Sequence, residues 1–376
     1  MTRVIHVLPG LAVGGTEMAL LRLVGSTNGI EHRVITLTSH DALKSEFERL
    51  GVRVESLMMT RNPLSWFRVL KLRNLVRKFV PDVVQSWLYA ADLALVFAGT
   101  GKNVRRIWNI RQSEIRLVRG QSHIYVMQRI AALVSKVIPE TIVYCGEAAQ
   151  LTHQQIGYCR STVVVIPNGI NVNKYQPDEA AGAVIRQELG IADDVFVFGL
   201  VGRYDPLKNQ QMLLAAFAAL AERAESAVLV LAGRGVDDNN IDLVKLIQQH
   251  DLRERVQLLG PRTDVPGILA MLDCHVLVST SEGWPNVLAE AMASEVYCIT
   301  TPVGDAPTIL GDCGTVLNDY EPESLATAMS DVMQMKREIR NSFASLARAR
   351  VTAEYSLERF GQRYQQLYVE DVGAKS

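Results

Sequence analysis

The sequence predicts an α/β protein with two domains, each built on a parallel β-sheet that is covered by helices. The chain has 376 residues, and a single hydrophobic core stops growing at about 250–300 residues. Short runs rich in β-branched residues alternate with amphipathic stretches of helical length, which is typical of repeated βα units. The alternation begins again after a linker at residues 175–183, which contains Pro177. Two domains of the same class are therefore expected.

The predicted strands fall into two series separated by that linker. The first series covers residues 4–8, 33–37, 53–57, 83–87, 105–110, 141–145 and 163–166. The second covers residues 195–201, 227–232, 256–259, 275–279 and 296–300, with a short strand near 315–317 and only helices from 321 to about 370. These series predict Rossmann-like domains at residues 1–175 and 176–355, and a C-terminal helix at 356–376 that crosses back to the first domain.

The composition indicates a chain that is folded along nearly its whole length. Apolar residues make up 48% and charged residues 21%, so we expect disorder only at residues 372–376. The five cysteines are odd in number and mostly lie in apolar runs, which favours buried thiols in a reducing cytoplasm. His6 and Pro9 interrupt the N-terminal apolar run, which therefore reads as a strand and not as a signal peptide. No uninterrupted apolar run reaches the roughly 18 residues that a membrane-spanning helix needs.

The charge is distributed unevenly along the chain. Residues 1–170 carry 21 Lys and Arg against 11 Asp and Glu, whereas the remainder carries 18 against 29. A basic first half indicates a contact with something anionic, of which nucleic acid and membrane surfaces are the usual examples.

A glycine pair follows the first predicted strand, in the sequence Gly14-Gly15-Thr16-Glu17. Glycines between a strand and a helix let backbone N–H groups approach a phosphate at the positive end of the helix dipole. The alternative is a plain tight turn with Thr16 as the N-cap of the helix. The pair lacks the third glycine of the dinucleotide fingerprint, so the motif alone leaves both interpretations open.

Two cations follow the first strand of the second series. Arg203 and Lys208 lie five residues apart between that strand and the next predicted helix. At the carboxyl end of a strand they could converge on a diphosphate, with Arg203 as a fork and Lys208 as a point charge. The alternative is a solvated loop with surface cations.

The densest signal spans residues 279–293. Glu282 lies in a strand-to-helix loop, and Glu290 lies inside the helix that begins near Asn286. A carboxylate in the loop could bind sugar hydroxyls, while the free amides at the helix start could bind phosphate. The alternative, two glutamates on an exposed helix face, fits poorly because the neighbours of Glu290 are apolar.

A basic segment with aromatic residues lies at 61–80. It contains six basic and no acidic side chains, interleaved with apolar residues that include Trp66 and Phe67. This pattern is typical of a membrane-surface helix, but also of an ordinary helix with a solvated basic face. A second basic cluster favours an anionic lipid or a lipid diphosphate as partner, and its members are Lys102, Arg105, Arg106, Arg111, Arg116 and Arg119.

The motifs together, in their order along the chain, resemble those of the family 4 glycosyltransferases (GT4). That family has the GT-B fold, in which two Rossmann-like domains face each other across a cleft. The resemblance covers nearly the whole chain and rests on the glycine pair, Val165–Ile170, Val201–Arg203 with Lys208–Asn209, Gly233–Gly235, Leu258–Gly260 and Glu282-x7-Glu290. A looser likeness over Gln85–Asp92 is to members that assemble bacterial surface polysaccharides and glycans.

The resemblance implies roles for individual residues. Glu282, Arg203 and Lys208 would form the catalytic set, with Glu282 on the transferred sugar and the two cations on the donor diphosphate. The donor-binding set implied by the resemblance is Gly14, Gly15, Arg203, Lys208, Leu259, Arg262, Gly283, Asn286, Val287 and Glu290. Within it, Glu290 would bind the ribose and the backbone of residues 259–262 would edge the base.

An acceptor side is expected in the first domain. The residues that it would use are Trp87, Tyr89, Asp92, Arg111 and Gln112. Gln112 stands where many relatives have a histidine, which removes a candidate proton relay.

The resemblance implies a retaining hexosyl- or N-acetylhexosaminyltransferase. Its donor would be a nucleotide diphosphate sugar, with UDP favoured over GDP, and its acceptor a polyprenyl-diphosphate-linked or other glycan. No two aspartates lie two residues apart and the histidines lack paired ligand spacing, so we expect no metal and no other cofactor. A cytoplasmic enzyme at the inner face of the cell membrane is expected.

Three other functions are compatible with parts of the pattern. A nucleotide-sugar epimerase of the same fold would need no acceptor site, which the basic first half argues against. A catalytically silent subunit that binds nucleotide sugars is disfavoured by the complete set of Arg203, Lys208, Glu282 and Glu290. A nucleic-acid binder is suggested only by charge, and the chain lacks an aromatic-studded sheet or a recognition helix.

Overall fold

The computed structural model describes residues 1–60, 62–99, 101, 103–113, 122–159, 163–223 and 226–369. The chain divides into two compact units, which we call unit 1 (Met1–Gly169 with Leu357–Ser376) and unit 2 (Ile170–Ser356). The sequence predicted these boundaries at residues 175 and 355. In the structure, the C-terminal segment belongs to unit 1.

Unit 1 contains a parallel sheet of seven strands. The strands are β1 (Thr2–Leu8), β2 (Ile30–Thr36), β3 (Arg53–Ser56), β4 (Val83–Trp87), β5 (Arg105–Ile110), β6 (Thr141–Tyr144) and β7 (Val163–Val165). The described helices are α1 (Gly15–Ser26), α2 (Lys44–Arg49), α3 (Leu70–Phe79), α4 (Tyr89–Leu95), α5 (Ser122–Val134), α6 (Glu147–Gln155) and, from the C-terminal segment, α15 (Leu357–Val369).

The strand order in unit 1 is β3-β2-β1-β4-β5-β6-β7. The chain moves one way across the sheet from β1 to β3 and the other way from β3 to β7. Because crossovers between parallel strands are right-handed, α1 and α2 cover one face and α3 to α6 cover the other. Helix α15 packs against α1, and thus on the first of these faces.

Unit 2 repeats this architecture with a parallel sheet of six strands in the order β10-β9-β8-β11-β12-β13. The strands are β8 (Phe196–Val201), β9 (Ala227–Ala232), β10 (Val256–Leu258), β11 (Cys274–Leu277), β12 (Tyr297–Thr300) and β13 (Thr315–Val316). The helices are α7 (Glu179–Glu188), α8 (Gln210–Ala221), α9 (Ile241–Gln249), α10 (Val265–Ala270), α11 (Asn286–Ala293), α12 (Ala306–Leu310), α13 (Pro322–Gln334) and α14 (Arg337–Tyr355).

Each sheet has its own apolar core because its strands are covered on both faces. The central strands are almost continuous apolar runs, as expected for parallel strands that are buried on both sides. In unit 1, Val4, Leu8 and Val83 are fully buried, and in unit 2 the same holds for Phe198 and Val276. The predicted fold class, two parallel-sheet α/β domains, is confirmed.

Two local predictions need correction. Residues 61–80 are not one continuous α-helix, because a 3-10 helix (Pro63–Val69) precedes α3. The N-cap of α1 is Gly14 and not Thr16.

Some predictions fall outside the described residues. These are Arg61, Lys102, Arg116 and Arg119 of the basic clusters and the tail at 372–376. Among the described helices, none is both long and apolar enough to cross a bilayer.

Candidate functional site

The candidate site of unit 2 lies at the point where the strand order reverses. Strands β8 and β11 are neighbours in the sheet, but the chain leaves them in opposite directions. In open α/β sheets, ligands bind in the crevice outside the carboxyl ends of such strands. The loop after β8 carries Arg203 and Lys208, and the loop after β11 carries Glu282. The topology therefore brings two distant sequence motifs to one edge.

The loop after β8 is held by its own polar groups. Asp205 caps a 3-10 helix (Pro206–Lys208) by accepting a hydrogen bond from the Leu207 N–H at 3.0 Å. Gln210, the first residue of α8, donates from its amide to the Arg203 carbonyl at 3.0 Å. The Thr280 N–H donates to the Leu207 carbonyl at 2.8 Å and so ties this loop to the loop after β11.

Lys208 and Glu282 form an ion pair between the two loops. The Lys208 Nζ lies 2.5 Å from the Glu282 Oε1, although the residues are 74 positions apart in sequence. The Ser279 hydroxyl donates to the same oxygen at 2.8 Å. The side chains of Lys208 and Glu282 are only 18% and 14% exposed, so solvent screens their attraction less than at an open surface.

Two glycines allow the surrounding loops to approach closely. Gly304 has a φ of +53°, and a Cβ there would collide with the Glu282 carbonyl. Gly233 has a φ of +151°, and a Cβ there would collide with the Gly202 carbonyl. Backbone packing at these positions fixes both loops that carry the charged pair.

Helix α11 begins directly beside this pair. Asn286 is its first residue, and no side chain caps its N-terminus at Pro285. Trp284 is buried and meets the ring of Tyr355 edge-on, with centroids 5.5 Å apart. Gly283, Asn286 and Val287, which the sequence predicts to bind the donor, are half-buried at this helix start. The helix dipole makes this end favourable for an anion.

Glu290 lies one turn further along α11 and is 8% exposed. It therefore does not belong to an exposed helix face, as the alternative interpretation of this motif required.

The remaining predicted donor residues lie at the same carboxyl edge but are engaged elsewhere. Arg203 is exposed and pairs with Asp205 at 2.9 Å. Arg262 bridges Glu188 and Asp264, at 2.6 Å to each. These two bridges raise the pKa of Arg262 further above its usual range.

Leu259 is half-buried after β10, where its N–H donates to the Leu231 carbonyl at 2.9 Å.

In unit 1, Gly14 and Gly15 form the start of α1 after β1. A Cβ on Gly14 would lie 2.6 Å from the Glu17 Oε2, whereas a Cβ on Gly15 would meet no atom within 4 Å. Partial burial raises the pKa of the Glu17 carboxyl, and a hydrogen bond from its own backbone N–H opposes this. The glycine pair therefore lies at the start of a helix whose first turn contains a carboxylate.

Three of the predicted acceptor-side residues are buried in unit 1. Trp87 and Asp92 are 0% exposed and Tyr89 is 3% exposed. Asp92 accepts a hydrogen bond from the Ser86 hydroxyl at 2.6 Å. Burial raises the pKa of the Asp92 carboxyl well above its usual range, against the effect of Ser86. These three residues thus lie in the interior of unit 1, and their role towards an acceptor stays a prediction.

Gln112 starts a chain of hydrogen bonds with a fixed direction. The Gln112 amide donates to the Tyr89 hydroxyl at 3.0 Å, and that hydroxyl lies 2.8 Å from the His153 Nε2. The His153 Nδ1 lies 2.7 Å from the Ala149 carbonyl, which can only accept. Nδ1 therefore carries the proton, and the Tyr89 hydroxyl donates to Nε2.

Arg111 is bound within unit 1. It donates to the Asn168 side chain and, at 3.3 Å, to the Tyr364 hydroxyl on α15. It also donates to the Ile166 carbonyl at 3.4 Å, so it braces the loop after β7.

Sequence reasoning missed two histidines near these edges. His153 in α6 is fully buried and accepts the hydrogen bond of the Tyr89 hydroxyl. His275 in β11 is fully buried, and burial together with the nearby charge of Lys208 lowers its pKa to about 3. Neither residue belongs to a sequence motif, so only the tertiary structure shows what surrounds it.

The fold and the two motifs joined by the Lys208–Glu282 ion pair define a class, the glycosyltransferases with two Rossmann-like domains. The family model described as glycosyl transferases group 1 matches residues 183–350, and the model described as glycosyltransferase family 4 matches residues 13–174. The two matches together span most of both units, and the chain belongs to the family 4 glycosyltransferases.

Similar proteins agree with this membership. A Bacillus subtilis (strain 168) protein named as a glycosyltransferase, EpsF, is 28% identical over 92% of this chain and 92% of its own length. The Escherichia coli UDP-Gal:alpha-D-GlcNAc-diphosphoundecaprenol alpha-1,3-galactosyltransferase is 34% identical over 38% of this chain and 37% of its own length. The structure of Anabaena HepE in complex with UDP has a TM-score of 0.82 at 22% identity and covers 97% of this chain and 99% of that one. This likeness shows that the GT-B fold is shared.

Proposed function

We propose that this protein is a retaining, metal-independent glycosyltransferase that takes a hexosyl or N-acetylhexosaminyl group from a UDP-sugar. The single observation that carries the proposal is the Lys208–Glu282 pair at the switch point of the unit 2 sheet, beside the start of α11. A cation, a carboxylate and the positive end of a helix dipole at one crevice suit a substrate that has both a diphosphate and sugar hydroxyls.

In the proposed complex, the donor diphosphate contacts Lys208, Arg203 and the amides at the start of α11. The charge on the leaving phosphate grows as the bond to the sugar breaks, so these groups stabilise the transition state more than the ground state. Glu282 then exchanges part of its ion pair for hydrogen bonds to the sugar. Glu290 accepts from the ribose diol.

Retention of configuration requires the acceptor to attack from the face that the diphosphate leaves. The acceptor oxygen forms the new bond to the anomeric carbon while the bond to the phosphate oxygen breaks. The acceptor proton passes to that leaving phosphate, which acts as the base. This route needs no enzymic nucleophile.

Unit 1 supplies the acceptor side in this proposal. Gln112 would present its side-chain carbonyl to an acceptor hydroxyl, because its amide is already committed to Tyr89. A lipid-linked glycan is the favoured acceptor, since the E. coli relative is named for transfer to a diphosphoundecaprenol-linked sugar. The basic unit 1 would hold the enzyme at the anionic inner face of the membrane.

The test is a thermal-shift series with UDP, UDP-sugars and GDP in the presence of a chelator. A ligand at about 100 times its dissociation constant should contribute roughly 2.7 kcal/mol to stability, and UDP compounds should raise the Tm without metal. No shift with any nucleotide would contradict the proposal. A shift that needs Mg²⁺ or Mn²⁺ would contradict the proposal that the enzyme is metal independent. A shift with GDP alone would contradict the proposal that the donor carries uridine.

A further inference from the structure

The helices α3 to α6 of unit 1 form one layer, the α3–α6 layer, whose outer surface carries exposed apolar side chains. On and just after α5, Val126, Ile130, Leu133 and Val137 are 53%, 45%, 71% and 77% exposed. Their spacings of four, three and four residues place them in one stripe along the helix. The opposite side of α5 is buried against the unit, as Ala131 and Ala132 show. The stripe is therefore a true outer face.

The same layer exposes apolar groups beside this stripe. Val96 and Phe97, at the end of α4, are 37% and 53% exposed, and α4 packs against α5. Leu64 and Phe67, before α3, are 70% and 71% exposed. A Cβ on Gly99, after α4, would lie 2.8 Å from the Arg73 Nε of α3, so these helices are also neighbours.

The opposite layer of unit 1 differs. Within the part of the chain that the structure describes, the helices α1, α2 and α15 and the residues that flank them expose three large apolar side chains, Val13, Leu50 and Val369, each on a different segment. Scattered single apolar residues are normal on a surface, but a contiguous set on one layer marks an interaction site.

The charges around the stripe are positive. Residues 122–139 contain Arg129 and Lys136 and no Asp or Glu, and Glu140, which follows them, is paired with Arg106 at 2.9 Å. Both cations are exposed, and both line a cavity of about 270 Å³ with Ile130, Leu133 and Ile156. An apolar surface with a cationic rim complements an anionic lipid bilayer, in which acyl chains accept the apolar groups and headgroups accept the cations.

We infer that unit 1 docks on an anionic bilayer through α5, with Leu133 and Val137 inserted among the acyl chains and Arg129 and Lys136 at the headgroups. The inference deepens the membrane part of the proposed function and rests on it. It adds an apolar insertion surface on α5 to the basic segment at residues 61–80, where the sequence placed the membrane contact. The cavity beside Arg129 would accept part of one lipid chain.

The test compares two double variants of the full chain with the wild type. Leu133→Glu with Val137→Glu changes the stripe, and Ile339→Glu with Leu346→Glu makes the same chemical change on exposed residues of α14 in unit 2. Co-sedimentation is measured with vesicles of phosphatidylglycerol and phosphatidylcholine, and with phosphatidylcholine alone. We expect the α5 variant to lose binding by about tenfold or more, and the α14 variant to bind like the wild type.

Each other outcome overturns the inference. These are equal binding of the α5 variant and the wild type, equal losses in both variants, and no binding of the wild type to anionic vesicles. A wild-type dimer in sedimentation velocity that the α5 variant lacks, with lipid binding unchanged, would identify a second copy as the occupant instead. The Tm shift with UDP is measured on the same variants, so a docking failure with an intact shift leaves the donor proposal standing.

Discussion

At the residue scale, the ion pair between Lys208 and Glu282 couples two side chains that would bind different parts of a donor. Without ligand, each charge is the main partner of the other at 2.5 Å. A diphosphate must compete with Glu282 for Lys208, so Glu282 opposes binding of the free nucleotide while it assists the sugar. Loss of the Lys208 charge should therefore weaken binding of free UDP, whereas loss of the Glu282 charge should not.

We expect Lys208→Ala to weaken binding of UDP and to slow transfer, with a loss of a few kcal/mol in the transition state. Glu282→Gln should bind free UDP at least as tightly as the wild type, because it releases Lys208, and should still lose transfer. Calorimetric titration of UDP and a transfer assay measure both effects. Equal losses of UDP affinity in the two variants would show that these roles are assigned to the wrong residues.

Asp92 provides a second test at this scale, because its buried carboxyl has a raised pKa. Above about pH 3.9 the unfolded chain releases this proton while the folded chain keeps it. The contribution of Asp92 to stability therefore falls as pH rises, by up to about 1.4 kcal/mol per pH unit, until the folded group ionises.

Asp92→Asn removes this dependence and keeps an acceptor for Ser86. Its free energy of unfolding relative to the wild type should grow from pH 5 to pH 8 in urea titrations. Asp92→Ala, which also removes the acceptor, controls for lost packing. A constant difference between wild type and Asp92→Asn at all pH values would contradict a protonated Asp92.

At the element scale, residues 63–79 show what a basic pattern can and cannot predict. The apolar members Leu72, Val76 and Phe79 are buried in α3, as in an ordinary helix that covers a sheet. The cations Arg68, Lys71 and Lys78 are exposed, and so are the aromatic rings of Trp66 and Phe67 in the preceding 3-10 helix. Burial in α3 thus fits the ordinary-helix interpretation, and the membrane interpretation of the exposed cations and rings stays a prediction.

Reversal of Arg68, Lys71 and Lys78 to Glu should abolish binding to anionic vesicles at low salt. Each cation near such a surface contributes about 1 kcal/mol, and reversal replaces attraction with repulsion. Co-sedimentation measures the loss, and the Tm shift with UDP should stay unchanged. The control reverses three exposed cations of unit 2, Lys245, Lys336 and Arg337, with the same change in net charge. Equal losses in both would indicate net charge and not a membrane-facing surface.

At the scale of the whole molecule, four buried histidines set the response to acid. Burial is the main cause that lowers the pKa of His6 well below its usual range, of His32 and His153 to about 4, and of His275 to about 3. The His6 and His32 rings are also hydrogen-bonded to each other at 3.0 Å. Folded His groups therefore stay neutral where unfolded ones are protonated.

The contribution of these histidines to the free energy of unfolding should be full above about pH 6.5 and should fall as the pH drops towards 4. Each histidine takes away up to about 1.4 kcal/mol per pH unit in this window, while Asp92 acts in the opposite sense. Urea unfolding at pH 7.5, 6.0 and 5.0 measures the effect. At the acid end, we expect the unfolded state to bind about three more protons than the folded state. Equal free energies of unfolding at pH 7.5 and 5.0 would contradict neutral buried histidines.

The sequence could predict the fold because its signals are local. Parallel strands that are buried on both faces read as short apolar runs, and the linker at Pro177 separates two such series. The motifs with Arg203, Lys208 and Glu282 were also visible, since each is a short stretch at the end of a strand. Their roles in donor binding stay predictions that the variants above test.

Burial and pairing, in contrast, were decided by strand order. Lys208 meets Glu282 only because β8 and β11 are neighbours in the sheet. Trp87 and Asp92 were predicted as ligand residues but are buried, because β4 lies at the centre of a covered sheet and α4 packs between β4 and α5. The exposed stripe of α5 was hidden in a helix that is apolar on several sides, so only the packing of its neighbours determined which apolar residues face outward.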